Sequence, residues 1–459
     1  MNADHYIQVT KPLPILVNGV LNERQAIPGK KYLVKKENKD SYQITIGNVT
    51  GEIPKVCCID VAVKRKPKMT VAWLYGRDGH FDLPYNGLNA SDLGLDVISP
   101  TWFHREGDPA RPETIKVVSK GDREFVKSAH QKGYEVWGLI ADFNADRNFT
   151  VFTSDALIEK EIEEIVSFAK DLHLDGVNID FEGFGSRLRE PYNRYVEKLS
   201  TRLKEEGFIV SIDVTKESDS DAWGKCYDRK TIAKFVDYVA FMAYDETGRL
   251  DTIPGSTGSL PWVEEGIQEF LAMGIEKERL LLGVPFYTRD WQEREIRADC
   301  ESVLITAWED VALYQAPQLT AVRHPVKAKT LLPLKSVKDG WFEVAKNGET
   351  LYLPIEKGRI LKAFERLFIA DKVEPLFAKD IAERKLKADG SVTFDAHCGQ
   401  EKFVYTDACG KRHEVWVEDT TSLGKRLDLL LHYDLAGMAA WALNQEDPLM
   451  WDVIKEKLK

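Results

Sequence analysis

The sequence predicts an α/β protein: a (β/α)₈ barrel with a small all-β domain at its N-terminus and a small β-rich insert between strands 7 and 8. Three observations lead there. From Met69 onward, short apolar runs alternate with helical stretches, the pattern of repeated βα units and a parallel sheet. Eight such apolar runs are present, enough to close a barrel. Before Met69, and again over residues 328–360, the pattern changes to short alternating strands broken by turns.

In chain order, Tyr32-Leu33-Val34 is apolar, residues 35–40 form a polar turn, and Tyr42-Gln43-Ile44-Thr45-Ile46 alternates with a period of two. A turn over 48–51 precedes Ile53-Pro54, and the basic stretch Lys64–Lys68 reads as a linker, so residues 1–65 are taken as one β module. The barrel strands are expected at 70–75, 96–103, 135–142, 176–182, 208–214, 238–244, 280–287 and 437–443, within a barrel domain spanning 69–459. Helices are expected between them, for example over 154–172 and 191–206. A doubly wound open sheet is the competing arrangement, but no GxGxxG turn follows any strand. The gap between the seventh and eighth strands is too long for one helix. Within it, Asn347-Gly348 lies between alternating runs, a strong hairpin signal, and residues 300–362 are assigned to a second β module.

Bulk composition narrows the functional classes. The chain has 459 residues, enough for a large core with appendages. A net charge of -11 argues against a nucleic-acid partner, because phosphate binding needs clustered Lys and Arg. The six cysteines are scattered without a CxxC pair, which suggests neither a zinc site nor a dense disulfide framework. No apolar run approaches the roughly 18 residues of a spanning helix. Met1-Asn2-Ala3-Asp4-His5 has neither the basic nor the apolar part of an export signal. Either the protein is intracellular or the chain begins after a removed signal.

The chemistry concentrates in the fourth strand, Asp175-Gly176-Val177-Asn178-Ile179-Asp180-Phe181-Glu182. Alternate side chains share a face, so Asn178, Asp180 and Glu182 point one way and Val177, Ile179 and Phe181 the other. In a barrel the apolar set meets the outer helices and the polar set faces the interior near the catalytic, C-terminal end. Two carboxyls so close are costly as a purely structural choice. Neighbouring like charges raise one pKa, so that one group holds a proton near neutral pH, as a general acid must. A half-exposed strand with solvated acids is the plainer alternative, but a central parallel strand is seldom solvated on either face.

These residues resemble glycoside hydrolase family 18, which includes the chitinases. The family's fourth-strand pattern, DGxDxDxE, is matched except at Asn178. Met242-Ala243-Tyr244-Asp245 is similar to the family's MxYD, and Gly283-Val284-Pro285-Phe286-Tyr287-Thr288-Arg289 to its GxPFYxR. Trp441 stands where the family places a tryptophan on the eighth strand. The resemblance implies a retaining, substrate-assisted glycosidase with no metal or organic cofactor. It makes Glu182 the acid, Asp180 the partner of the acetamido N–H, Tyr244 the holder of the acetamido oxygen and Trp441 the apolar floor under the sugar. Asp245, Tyr287 and Arg289 become substrate-side residues.

Plainer readings stand beside these. Tyr244 and Trp441 also fit as core aromatics, Asp245 as a loop cap and Arg289 as half of a structural ion pair. Trp102, at the end of the second strand, is a candidate for stacking on a sugar or for the core. Asn178 cannot ionise, so it is expected only to orient Asp180 by hydrogen bonding.

The Asn-Ile-Asp-Phe-Glu form looks like the branch that includes bacterial spore-cortex and cell-wall glucosaminidases, and the two β modules are similar to bacterial SH3-like domains. The expected partner is therefore a polysaccharide, peptidoglycan ahead of chitin, cleaved at β-1,4 bonds next to N-acetylglucosamine by a secreted or envelope-associated enzyme. The alternatives are a chitinase or endo-N-acetylglucosaminidase acting on chitin oligomers or N-glycans, and a non-catalytic carbohydrate-binding protein. Lectin-like members typically lose the acid, and Glu182 is present.

Overall fold

The computed structural model describes residues 5–61, 66–76, 80–307, 311–387 and 389–459, without the side chain of Asn86. The start of the chain, where an export signal was sought, and the first half of the basic linker lie outside the described residues.

Eight parallel strands close into the expected barrel. They are β1 (Met69–Leu74), β2 (Val97–Pro100), β3 (Glu135–Asp142), β4 (Gly176–Phe181), β5 (Ile209–Val214), β6 (Tyr238–Phe241), β7 (Leu280–Pro285) and β8 (Gly437–Trp441). Each pairs with the next, and β8 returns to β1, with Gly437 opposite Met69. Helix α1 (Asp155–Asp171), capped by Ser154, and helix α2 (Arg189–Glu205) flank β4 in sequence. The inward face of α1 carries Ile158, Ile162, Ile165 and Ala169, the spacing of an apolar helical stripe.

Three strand ends differ from the periodicity. The second run stops at Pro100, and Phe103 opens a separate strand, Phe103–Glu106, that pairs with β3 and with Lys116–Ser119. Proline lacks the N–H that would continue the ladder. The sixth strand ends at Phe241, so Tyr244 lies beyond it. The seventh ends at Pro285, and Tyr287–Arg297 is a new long strand belonging to another sheet.

The chain divides into two compact units. The first holds the barrel and the N-terminal module. That module has a three-stranded and a five-stranded antiparallel sheet around Ile7, Ile15, Ile44 and Ile53. Its Ile27 joins the main core of the barrel, and its Arg24 pairs with Asp175, the residue just before β4. The second unit comprises residues 245–259 and 287–418. It contains a seven-stranded sheet within Ser302–Leu361, and a five-stranded antiparallel sheet with the helix Ala378–Lys387. That second sheet was not foreseen; of its strands, Tyr287–Arg297, Arg366–Phe377, Asp389–Asp395, Gln400–Thr406 and Arg412–Trp416, the first is far from the others in sequence.

Candidate active site

Strand β4 shows the alternation in full. Val177, Ile179 and Phe181 enter the large core shared with the helices, while Asn178 and Asp180 face the barrel interior. A smaller inner cluster of Val71, Trp73, Trp137, Leu139 and Ala240 fills the rest of the interior, with Tyr244 and Trp441 packed against it. Glu182 follows the end of β4 and is half-buried, so it stands at the mouth of the barrel.

Asp180 is 5% exposed and interacts with the Glu182 carboxyl through a side-chain hydrogen bond. Burial pushes its pKa up to about 7, an effect partly offset by that hydrogen bond. Its Oδ1 has no protein partner. Among the described residues no cation pairs with it; the buried Arg105 is held by Glu161 at 2.6 and 2.8 Å. A buried acid without a compensating cation is a candidate functional group.

Asn178 does not orient Asp180. Trp73 Nε1 donates to its Oδ1 (2.9 Å), and its Nδ2 donates to Ser211 Oγ (2.8 Å) and Asp213 Oδ1 (2.9 Å). Asp213 was missed in the sequence. The period of two that singles out Asn178 and Asp180 on β4 also aligns Ser211 and Asp213 on β5, and would have found it. Asp213 is 1% exposed, and its pKa is raised by burial first and by Asp180 second.

Trp441 ends β8 opposite Pro285, and its ring centroid lies 6.0 Å from that of Trp73. Its carbonyl accepts from Phe286 N–H, and Leu443 N–H donates to Trp73 carbonyl, fixing the ends of β7, β8 and β1 together. Asn178, Asp180, Glu182, Tyr244 and Trp441 thus belong to one barrel end in the first unit.

Asp245, Tyr287 and Arg289 form a separate group in the second unit. Both the Tyr287 hydroxyl and the Arg289 guanidinium donate to the Asp245 carboxylate, and Arg289 Nε donates to the Thr247 carbonyl at 3.1 Å. Asp245 has a φ of 64°, in the left-handed region that Asp tolerates better than most residues. Trp102 is a correction. It is wholly buried, edge-on to Phe125 and Phe81, and offers no face to a sugar.

A cavity of about 550 Å³ opens at the opposite end of the barrel, lined by Lys30, Met69, Asp96, Glu135 and Lys459 among others. Its charges are largely spent on one another, for example Lys30 with Asp96 at 3.5 Å, so a structural role describes it better than catalysis. Among the described residues no group of His, Cys, Asp and Glu is arranged to hold a metal ion, and no helix is long and apolar enough to cross a membrane.

The model of glycosyl hydrolases family 18 matches residues 121–446, more than half of the chain. The chain belongs to that family. An uncharacterized glycosylase, YvbX, of Bacillus subtilis is 23% identical over 385 residues, covering 82% of this chain and 88% of that one. The di-N-acetylchitobiase of Rattus norvegicus is 22% identical, with 79% and 87% covered. Among solved structures, the Bacillus cereus spore cortex-lytic enzyme SleL superposes with a TM-score of 0.60 at 17% identity, covering 88% of this chain and 77% of that one. The protein is a family 18 glycosidase of the chitinase and cortex-lytic type.

Proposed function

We propose that the enzyme hydrolyses β-1,4 bonds next to N-acetylglucosamine in bacterial peptidoglycan by a retaining, substrate-assisted mechanism. The observation that carries this reading is the Asp180–Glu182 pair: one buried acid without a cation, hydrogen-bonded to a second acid at the barrel mouth.

Glu182 transfers its proton to the glycosidic oxygen as the bond to the anomeric carbon breaks. The acetamido oxygen of the same sugar attacks that carbon from the other face, giving an oxazolinium. Asp180 accepts the acetamido N–H and faces the positive charge, an electrostatic contribution strengthened by its dry surroundings. Tyr244 holds the acetamido oxygen and Trp441 carries the sugar on its face. Water then attacks the anomeric carbon and gives its proton to the Glu182 carboxylate, restoring the acid with retained configuration. Within the second unit, Asp245 aligns Tyr287 and Arg289.

The choice of peptidoglycan is supported by similarity to the spore cortex-lytic enzyme and by the two small β modules, 1–65 and 300–362, taken as SH3-like wall-binding domains within an envelope-associated or secreted protein. The similarity to di-N-acetylchitobiase favours a second reading, cleavage of chitin-type oligomers. Mass spectrometry of products from purified peptidoglycan separates them. New reducing-end N-acetylglucosamine is expected from the wild type and not from Glu182→Gln. Products from chitin oligomers alone would establish the second reading, and binding without products would overturn both.

A further inference from the structure

The carboxyl that stands beside Asp180 comes from a different strand than the family pattern suggests. Asn178 has its whole amide committed: its oxygen to Trp73, its two hydrogens to Ser211 and Asp213. The registered pairs Asn178–Ser211 and Ile179–Ile212 lead, one residue further, to Asp180 and Asp213 side by side on the inner face. We propose that Asp213 is a positioning residue that supplies, from β5, the second buried carboxyl of the site in place of the one Asn178 lacks. The proposal rests on the assignment of Glu182 as the acid and Asp180 as its partner.

The described neighbours of Asp213 that follow fit that role. From β4 come Asn178 and Asp180, from β1 Trp73, from its own strand Ser211, and the β6 residue in register is Ala240. From α2, the buried Tyr192 phenol feels both Asp180 and Asp213 and is itself pushed well above its ordinary range. Among the described residues no Lys or Arg pairs with Asp213. Two buried acids without a cation cannot both ionise cheaply, so near neutral pH one negative charge is spread over the pair. Burial first, and Asp180 second, raise the Asp213 carboxyl well above the usual carboxylate range. Asn178 fixes the Asp213 carboxyl by an N–H donor whose polarity suits either protonation state of the acceptor.

The test counts carboxyls. Glu182, Asp180 and Asp213 make three in the wild type. Asp213→Asn leaves two, Asn178→Asp makes four, and the exchange Asn178→Asp with Asp213→Asn returns to three. The last proton of such a cluster leaves against the charges of the others, so fewer acids mean an earlier loss of the acid's proton. The alkaline limb of kcat against pH is therefore expected to move to lower pH in Asp213→Asn, to higher pH in Asn178→Asp, and back towards the wild type in the exchange. Asn178→Asp also loses the donor to Asp213, and its kcat is expected to fall about ten-fold or more with recovery in the exchange. Thermal unfolding of each variant is measured alongside. If Asp213→Asn does not fold, Asn178→Asp and the exchange carry the test.

An alkaline limb shared by wild type and Asp213→Asn, or an exchange no better than Asn178→Asp alone, would overturn the proposal. Glu182→Gln run in parallel separates this from failure of the mechanism itself. Activity retained there removes the acid, whereas its loss with an unchanged limb in Asp213→Asn removes only Asp213.

Discussion

Asp175 and Asp180 lie at the two ends of the same strand region, both buried, and they are treated in opposite ways. Asp175 is met by Arg24, by His130 Nε2 at 2.8 Å and by the Val136 N–H at 2.9 Å. Burial, with Arg24 adding to it, holds the His130 pKa down to about 3. Among the described residues, Asp180 is met by no cation and leaves Oδ1 without a protein partner. A buried carboxyl that is matched in charge and hydrogen bonds serves the fold. One left unmatched costs stability and remains only where something outside the chain completes it. Burial alone therefore does not mark the chemistry; the missing partner does.

The largest effect that would sharpen this contrast is on rate. Glu182→Gln and Asp180→Asn are each expected to lower kcat by about 10²–10⁴-fold, the usual range for losing a positioned proton donor or its partner. Asp180→Asn should leave thermal unfolding at neutral pH unchanged or improved, since a neutral amide relieves a buried charge, and Glu182→Gln, at a half-buried position, should leave it near that of the wild type. Near-native turnover in Glu182→Gln would break the assignment.

Asp175→Asn tests the other end. Arg24 then loses the carboxylate it pairs with in a buried site, and a loss of about 3–5 kcal/mol in unfolding free energy is expected. The kcat of the molecules that remain folded should be near that of the wild type. Removing residues 1–61 takes Arg24 and Ile27 away together, so activity is expected to fall on soluble fragments and to fall further on whole walls. A truncated enzyme that lost only wall binding would show the module to be a tether and not part of the barrel floor.

A smaller effect appears in the pH dependence of stability. The pKa of Asp180 is raised in the folded state to about 7 from an ordinary value near 4. The folded state therefore binds the extra proton between those values. Its stabilising effect is complete below about pH 4 and is lost as pH rises through about 7. The difference in unfolding free energy between Asp180→Asn and wild type should grow in favour of the variant from pH 4 to pH 8. A constant difference over that range would show that Asp180 is not desolvated as described.

Much of this was legible in the sequence, for a physical reason. Eight apolar runs carry the barrel because each strand's outward side chains must bury against helices, and the period of two on β4 separated Val177, Ile179 and Phe181 from Asn178 and Asp180. The partners of those polar groups were not legible. Trp73, Ser211 and Asp213 reach Asn178 from strands far apart in sequence, and only closure of the barrel brings them together. Arg24 is likewise about 150 residues from Asp175. The end of the seventh strand was misplaced because Pro285-Phe286-Tyr287 reads as one apolar run, although the chain leaves the barrel within it.

Trp102 sets the limit on the rule that an unmatched polar group marks the site. Its Nε1, like Asp180 Oδ1, is buried without a partner. Its neighbours, however, are Phe81 and Phe125 in the core shared with the helices. An orphaned neutral N–H costs about 1–3 kcal/mol, and Trp102→Phe removes that cost while losing some packing volume. The two terms oppose each other, so the net change in stability is expected to be about 1 kcal/mol or less, with kcat and KM at wild-type values. Trp441→Phe, by contrast, should raise KM, because that ring is half-buried at the end of β8 beside Tyr244 and the acids. If Trp102→Phe changed KM as much as Trp441→Phe does, Trp102 would belong with the substrate after all. Orientation towards the interior would then be no criterion for telling an orphaned group that serves chemistry from one the core merely tolerates.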